Sequence, residues 1–526
     1  MADPEVAVPN RRLVSLAGVV ATFVGLAAAE LAAGLLVTVP SPLDALGQQV
    51  VALAPGGFLT TAIEILGPAN RAVLLGSSLL VAVGLGVLLG RLAAGRFVVA
   101  VALVGGVAVA ALAASLTSPD AALPTVLLAL VAASWATLGS LRLLLARLGA
   151  PVAATSAGTD GPDGRRGGPT ATAAVDRRRF LRLTGVLGAS AALAGTLGRT
   201  TFGFAGAAAP DVTLPEPAST LPPIRGDLAA ELPEVTPLLT PVDDFFRIDA
   251  AIALPRVDPA DWRLRIHGLV DRELEFTYQD LLDRDLVEVD ATISCVSNEV
   301  GGDLVGTARW LGVPLVELLD EAGPTARAEQ VVGRSVDGWT GGFPLEVATD
   351  GREALVAVAM NDVPLPVRHG FPARLVVPGL YGYVSATKWL QDIELTTWDG
   401  FDGYWVPRGW SKQGPVKTMT RIDLPASGDR VEDADLVVAG VAWAPVRGIG
   451  QVEIQVDDGP WEPVEVLPPL SEATWVQWRG TVALPPGDHT IAARAVDAHG
   501  EPQPEGPAPP APDGAEGWHS VRVEVA

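Results

Sequence analysis

The sequence predicts three folded parts in series: an N-terminal α-helical transmembrane bundle, an α+β domain and a C-terminal β-sandwich. Three observations carry that prediction. Of the 526 residues 49% are hydrophobic, yet the formal net charge is −23, a pairing that one soluble globule rarely shows. The apolar residues concentrate in the first 200 positions and the acidic ones in the last 300, so a membrane part joins an acidic soluble part. Within the soluble part, short β-branched strands first alternate with brief helices, then follow one another with period-two patterning and proline-rich turns. The expected boundaries are 1–150 for a four-span membrane domain, 151–205 for a linker and fifth span, and 206–241 for a tether. The α+β domain follows at 242–420 and the sandwich at 421–526.

Four runs are long enough to cross a bilayer: Leu13–Val39, Ala72–Leu89, Phe97–Leu116 and Leu123–Leu145. Val50–Leu66 is apolar too, but it carries Pro55, Gly56, Gly57 and Glu64 and reads as an interfacial or re-entrant piece. Arg11, Arg12, Arg91, Arg96, Arg142 and Arg147 fall at alternate ends of the runs, with Asp44, Glu64 and Asp120 in the other loops. Only Arg71 runs against the trend, so both ends of the four-span unit face the cytoplasm. The five histidines (267, 369, 489, 499 and 519) all lie outside the spans, which therefore offer no bis-histidine haem ligation. With few ionisable groups beyond Glu30, the spans read as an anchor or a docking surface rather than an ion pathway.

A Gly/Pro/Thr/Ala linker at 151–175 leads to Arg177-Arg178-Arg179-Phe180-Leu181-Arg182 and the apolar Leu183–Leu197. This resembles a twin-arginine export signal. The same arginines equally serve to hold a fifth span inside-positive. Both readings put everything after about residue 205 outside the cytoplasm, in a multi-pass cell-membrane protein, and 205–209 is a candidate cleavage region. The twin-arginine route carries folded proteins, as a domain loaded with a complex cofactor requires. Prolines at 210, 215, 217, 222, 223, 233, 237 and 241 make the next segment a stiff, partly extended tether.

In the α+β domain, Trp262–Ile266 alternates as a strand and turns at His267-Gly268. Tyr278–Leu282 opens a helix, Val313–Ala322 is a short helix stopped by Gly323-Pro324, and Leu375–Pro378 is a buried strand. Leu286–Ile293 is a strand that ends at Cys295, the one cysteine of the chain. A lone cysteine is ordinarily a small buried hydrophobe. Here it enters a loop with Ser297, Asn298, Glu299, Gly301 and Gly302, where a ligand can reach it. One cysteine excludes intrachain disulfides, iron–sulfur ligation and thiolate zinc sites. The acidic balance argues against nucleic acid as a partner.

Several separated motifs, in order, resemble the molybdopterin domain of the sulfite oxidase family, which includes periplasmic methionine-sulfoxide reductase catalytic subunits. They are Asp243–Asp249, Trp262–Gly268, Ile293-Ser294-Cys295 with Asn298, Thr307–Trp310, Arg368–Pro372 with Arg374, Pro378 with Tyr381-Gly382, and Ser385–Leu390. The resemblance covers residues 242–526 and implies a molybdenum–molybdopterin cofactor with Cys295 as the metal's protein ligand. A soft, dithiolene-bound metal favours a thiolate. The resemblance further implies cofactor contacts from Asp243, Phe246, Arg247, Asn298, Ser335, His369, Arg374, Ser385, Ala386, Thr387 and Lys388, all in loops at strand ends. Tyr381 and Tyr404 are candidates to donate a proton near the metal, with Asp402–Trp405 and Arg408–Trp410 as a covering segment. The sequence departs from the sulfite-oxidising pattern at Ser297-Asn298-Glu299-Val300, where a glycine precedes the asparagine and an arginine pair follows it. An acidic Glu299 opposes an anion such as sulfite. His369 stands where the reductases carry asparagine. His267 reads as a structural histidine, Arg309 and Arg374 also fit surface ion pairs, and Trp262, Trp310 and Trp389 fit core or cofactor-shelf packing.

The last hundred residues alternate with period two at Val452–Val456, Thr474–Trp478, His489–Val496 and Ser520–Val525, with a hairpin turn at Asp457-Asp458-Gly459. This is the pattern of an immunoglobulin-type sandwich. The resemblance implies a dimerisation domain, so a homodimer is compatible with it. The expected function is two-electron oxygen-atom transfer on a small-molecule substrate, with electrons exchanged through a separate haem- or quinone-linked partner protein. Two rivals stand beside it: a non-catalytic membrane-anchored envelope or receptor protein that keeps the fold without cofactor, and a cysteine hydrolase using Cys295. The joint presence of Cys295, His369, Arg374 and Lys388 weighs against the first. The scarcity of histidine weighs against the second.

Overall fold

A computed structural model describes residues 10–36, 39–53, 70–116, 121–148, 177–203, 212–250, 254–255, 257–432 and 435–526. They fall into two compact units, one of helices and one rich in β-structure. In the first, Arg11–Leu35, Asn70–Gly95, Phe97–Ser115, Leu123–Arg147 and Arg177–Gly203 each contain a stretch long and apolar enough to cross a membrane. Arg11–Leu35 packs against the second, fourth and fifth of these. Small residues permit the approach: a Cβ on Gly18 would lie 2.0 Å from the Gly86 carbonyl oxygen. Of the interfacial segment expected at Val50–Leu66, only the end of a helix, Pro42–Leu53, is among the described residues. The linker at 151–175 and the candidate cleavage region lie outside them.

The second unit opens with a segment that differs from the tether expected at 206–241. Residues 212–241 run along the folded surface instead of bridging freely. Ala218 N donates to Leu286 O (2.8 Å), Leu228 N to Gln477 Oε1 (2.8 Å), and the Trp475 indole to Leu238 O (2.9 Å). Leu228 and Val235 are buried against Ala439. Prolines kept the segment out of regular ladders, as composition suggested, but its apolar residues found a surface to cover.

Two five-stranded sheets then share one core. The first orders Leu274–Thr277, Arg263–Gly268, Leu390–Thr396, Gln330–Ser335 and Thr340–Pro344, with the second and third parallel. The other is antiparallel: Val287–Ser294, Val305–Pro314, Leu355–Met360 and Val363–Pro364, with Arg374–Val376 also paired to Leu355–Met360. The helix expected from Val313 begins at Leu315, because Val313 and Pro314 end a strand paired with Val356 and Leu355.

Residues from Met419 onward form a four-stranded and a five-stranded sheet. Ile422, Val438, Trp478, Ile454, Ile491 and Val523, drawn from both sheets, meet in a second core. This is the two-layer solution that alternating strands favour. Trp443, Ala473 and Trp475 belong to the first core instead, so the β-rich end is packed onto the α+β part.

Candidate functional site

Strand Val287–Ser294 is buried over its last six residues and delivers Cys295 into a tight loop. Cys295 N donates to Leu304 O (2.9 Å), Asn298 N to Cys295 O (3.1 Å), and Leu304 N to Asn298 Oδ1 (2.8 Å). Asn298 thus closes the loop with its own side chain. Gly301 adopts φ +77°, and a Cβ there would stand 2.3 Å from the His519 ring, so the left-handed turn and the close approach both require glycine. Arg421 Nη1 donates to Gly302 O (2.8 Å). The loop is therefore clamped by two residues from the C-terminal sheets, Arg421 and His519. Burial pushes the Cys295 thiol up, against hydrogen bonding by Ser297 and the charge of Lys388.

A buried cationic cluster forms near the thiol. Arg374 starts the strand Arg374–Val376, not a loop; its guanidinium lies 4.9 Å from the Trp310 ring centroid and donates to His369 O (3.2 Å). Burial lowers its pKa to about 10. Lys388 is ion-paired with Asp249, which also accepts from Arg247 Nε (2.5 Å). Burial opposes the charge of Asp249, but Lys388 and Arg247 outweigh it and hold the carboxyl below the usual range. Burial likewise lowers Lys388, with Asp249 opposing. The next residue, Trp389, has φ +48° and donates its indole N–H to Val367 O (2.7 Å). A bulky residue keeps that conformation only where its surroundings fix it, and this turn presents Lys388 inward.

His369 is buried in the single turn Val367–His369. Burial, reinforced by Arg374 and Lys388, lowers its pKa to about 3. The neutral ring donates Nε2–H to Val242 O (3.1 Å), which leaves Nδ1 as an acceptor. Phe245 stacks on Phe246 (centroids 5.3 Å), meets Trp310 and His369 edge-on (both 5.7 Å) and fills the space beside Gly306.

The structure therefore brings together Arg247, His369, Arg374 and Lys388, with Phe246 at the edge and Cys295 within electrostatic reach of Lys388, while the hydroxyl of the neighbouring Thr387 lies beside Gly333. Other expected residues lie elsewhere or act differently. Asp243 is 92% exposed and pairs with Arg368; Asp249, 4% exposed, takes the place in the cluster. The Ser385 hydroxyl, in the short helix Gly382–Ser385, bonds back to Tyr381 O (3.0 Å), and Ala386 N to Gly382 O (3.0 Å). Ser335 is buried at a strand end, with its oxygen accepting from Asp337 N (3.4 Å). The Tyr381 hydroxyl accepts from Lys417 N (3.4 Å) and lies against Gly514; burial raises its pKa to about 12. Tyr404 sits under the Arg408 guanidinium (3.8 Å), with its backbone tied to Thr340. Glu299 is exposed. Arg309 makes a two-pronged pair with its cross-strand neighbour Asp290 (2.9 and 2.8 Å), and His267 faces Asp392 (3.6 Å); both are structural.

Sequence reasoning missed Asp249 and Asp337, the latter with its carboxyl pushed up by burial and by Asp249. The spacing Arg247-Ile248-Asp249 was the available signal for the first. As a test of fit for an anionic pterin, the cluster has three cations, of which Arg247 and Lys388 pair with Asp249 and Arg374 has no carboxylate ion pair among the described residues, and the nearby Thr387 hydroxyl oxygen is buried without a hydrogen-bond partner. A surplus of positive charge, buried at Arg374 and half-buried at Arg247 and Lys388, and an unmet hydroxyl suit a phosphate-bearing group. A cysteine sulfur suits a soft metal, whose charge would deprotonate the thiol that burial alone keeps protonated.

Residues 251–405 match the oxidoreductase molybdopterin binding domain. Sulfite oxidase of Gallus gallus is 27% identical over 322 residues, which cover 52% of this chain and 69% of that protein. Mitochondrial sulfite oxidase of Rattus norvegicus is 27% identical over 339 residues, 55% of this chain and 62% of its own. The chain thus spans roughly two thirds of the length of these relatives. YuiH of Bacillus subtilis, an uncharacterised oxidoreductase, is 33% identical over 157 residues, 30% of this chain and 76% of that one. The solved structure of the sulfane dehydrogenase SoxCD from Paracoccus pantotrophus aligns at 22% identity over 54% of this chain and 81% of that one, with a TM-score of 0.48. The matched segment holds Cys295, His369, Arg374 and Lys388, and the chain belongs to the sulfite oxidase family of molybdopterin-dependent oxidoreductases.

Proposed function

We propose that the protein is a membrane-anchored, extracytoplasmic molybdenum-cofactor oxidoreductase that moves an oxygen atom to or from a small substrate. The observation that carries this reading is a buried thiol, Cys295, within electrostatic reach of Lys388, which clusters with Arg247 and Arg374 and is only partly neutralised by Asp249. When bound, the cofactor supplies the oxygen-atom transfer and stores the two electrons. Lys388 and Arg374 hold its phosphate, with the Thr387 hydroxyl as a further donor. Neutral His369 offers Nδ1 as an acceptor to a pterin N–H. Cys295 gives the metal its protein sulfur, and the clamp from Arg421 and His519 keeps the sulfur in place. Tyr381, whose hydroxyl keeps its proton at neutral pH and lies within electrostatic reach of the thiol, is a candidate proton donor, and Tyr404 borders the site through Asp337.

Glu299 on the Cys295 loop disfavours an anion, so a neutral oxygen-atom acceptor or donor such as a sulfoxide is favoured over sulfite. The apolar helices anchor the chain, with Arg91, Arg96, Arg142 and Arg147 on the cytoplasmic side. A haem- or quinone-linked protein exchanges the electrons. The C-terminal sheets are read as an immunoglobulin-type sandwich suited to homodimer formation.

Metal analysis tests the central point. Protein from molybdenum-supplied cells should carry stoichiometric molybdenum and release pterin on denaturation, and Cys295→Ser should lose most of the metal. Wild-type protein free of molybdenum under those conditions would refute the reading. A panel containing sulfite and a sulfoxide, assayed with an artificial mediator, then separates the substrates.

A further inference from the structure

Helices Phe97–Ser115 and Leu123–Arg147 lie side by side and leave an apolar groove of about 490 Å³ between them. Phe97 and Arg142 mark one end, and Leu112 and Leu127 the other. On each helix those marks are fifteen residues apart, so at 1.5 Å per residue the groove is about 22 Å long. That is most of the roughly 30 Å hydrocarbon core of a bilayer. Gly139 lines it, and a Cβ there would meet nothing within 4 Å.

An apolar groove on membrane helices takes acyl chains by default and is not selective by itself. Charge at one end changes that. Arg142 is exposed at the Phe97 end, and Arg96, the residue that precedes the helix, is exposed beside it. Neither side chain has a hydrogen bond or ion pair with a described residue, whereas Arg91 donates to Ser15 Oγ (3.2 Å). Two guanidinium groups without a partner among the described residues thus stand at the Phe97 end, Arg142 lining the groove and Arg96 adjoining Phe97 in the chain, where a lipid phosphate would lie. Arginine presents planar paired donors that match phosphate, and basic pockets between membrane helices on the cytoplasmic side select anionic headgroups.

We propose that this groove binds a phospholipid with an anionic headgroup, its phosphate held by Arg142 and Arg96 and one acyl chain laid along the groove. The proposal rests on reading these helices as membrane spans, which extraction from membranes by detergent alone checks separately. A quinone has the apolar tail but no anion to meet the arginines.

The test uses full-length protein in a neutral detergent, titrated with phosphatidylglycerol, phosphatidylcholine or a short-chain ubiquinone, with retained ligand counted by native mass spectrometry. Phosphatidylglycerol should be retained about fivefold or more over phosphatidylcholine, and Arg142→Gln should remove most of that preference while Arg142→Lys keeps part of it. Gly139→Leu places a side chain in the open groove and should abolish retention without loss of helical circular dichroism. Equal retention of the two lipids would overturn the proposal. So would preferential retention of ubiquinone, or an unchanged preference in Arg142→Gln. Molybdenum content concerns the other unit and should not change in these variants, so failure of the lipid site and failure of the oxidoreductase reading are distinguishable.

Discussion

Replacing Arg421 by methionine tests how far the C-terminal sheets hold the Cys295 loop. The Arg421 side chain, 12% exposed, donates to Gly302 O (2.8 Å), Thr236 Oγ1 (2.5 Å) and Asp423 Oδ1 (2.6 Å). Its carboxylate partner is 7% exposed. Methionine keeps much of the aliphatic volume but strands that carboxylate. Breaking a buried pair by removing one partner costs about 3–5 kcal/mol. Asp423 retains one donor, Thr236 N at 2.9 Å, so the lower end, about 3 kcal/mol, is expected. The assay is urea unfolding of the full-length protein in detergent, followed by tryptophan fluorescence, with a lower midpoint at unchanged slope. Adding Asp423→Asn removes the stranded charge and should restore part of the loss. Molybdenum content should fall in the single variant, because the turn at Gly301-Gly302 loses its tie. A loss below about 0.5 kcal/mol, the range of ordinary surface changes, with full metal content would refute the reasoning.

Three further outcomes follow from the same geometry. His369 has a folded pKa of about 3, against about 6.5 in an unfolded chain. The unfolded state therefore takes up the proton first, and stability present above pH 6.5 is lost as pH falls towards 3, by up to about 5 kcal/mol. His369→Asn cannot titrate and should show a shallower acid limb in pH-dependent unfolding; superimposable limbs would count against the buried neutral ring. Asp249→Asn leaves Lys388 and Arg247 without their carboxylate and should destabilise cofactor-free protein by about 3 kcal/mol, read in the same urea assay. Asp243→Asn, at an exposed position, should stay within about 0.5 kcal/mol of wild type; equal effects of the two substitutions would overturn the assignment of Asp249 to the cluster.

By itself the sequence determined the five long apolar helices, though not Pro42–Leu53, because a run long and apolar enough to cross a hydrocarbon layer is legible whatever its neighbours are. It also determined the strand that delivers Cys295, since a buried β-branched run declares itself locally. The family motifs marked His369, Arg374 and Lys388, which the fold does bring together. Tertiary structure decided the rest. Whether Asp243 or Asp249 enters the cluster depends on how the chain turns against Phe245, Trp310 and Lys388, which come from distant segments. The proline-rich stretch at 212–241 is irregular, as its composition requires, but its covering role depends on Leu286, Gln477 and Trp475. Asn298, expected to touch a cofactor, closes its own loop, and that loop is held by Arg421 and His519 from the far end of the chain. Backbone preference is written within a few residues. Which charges are buried together, and what compensates them, is settled only when remote segments meet, because desolvation and Coulomb energy depend on every group packed around a site.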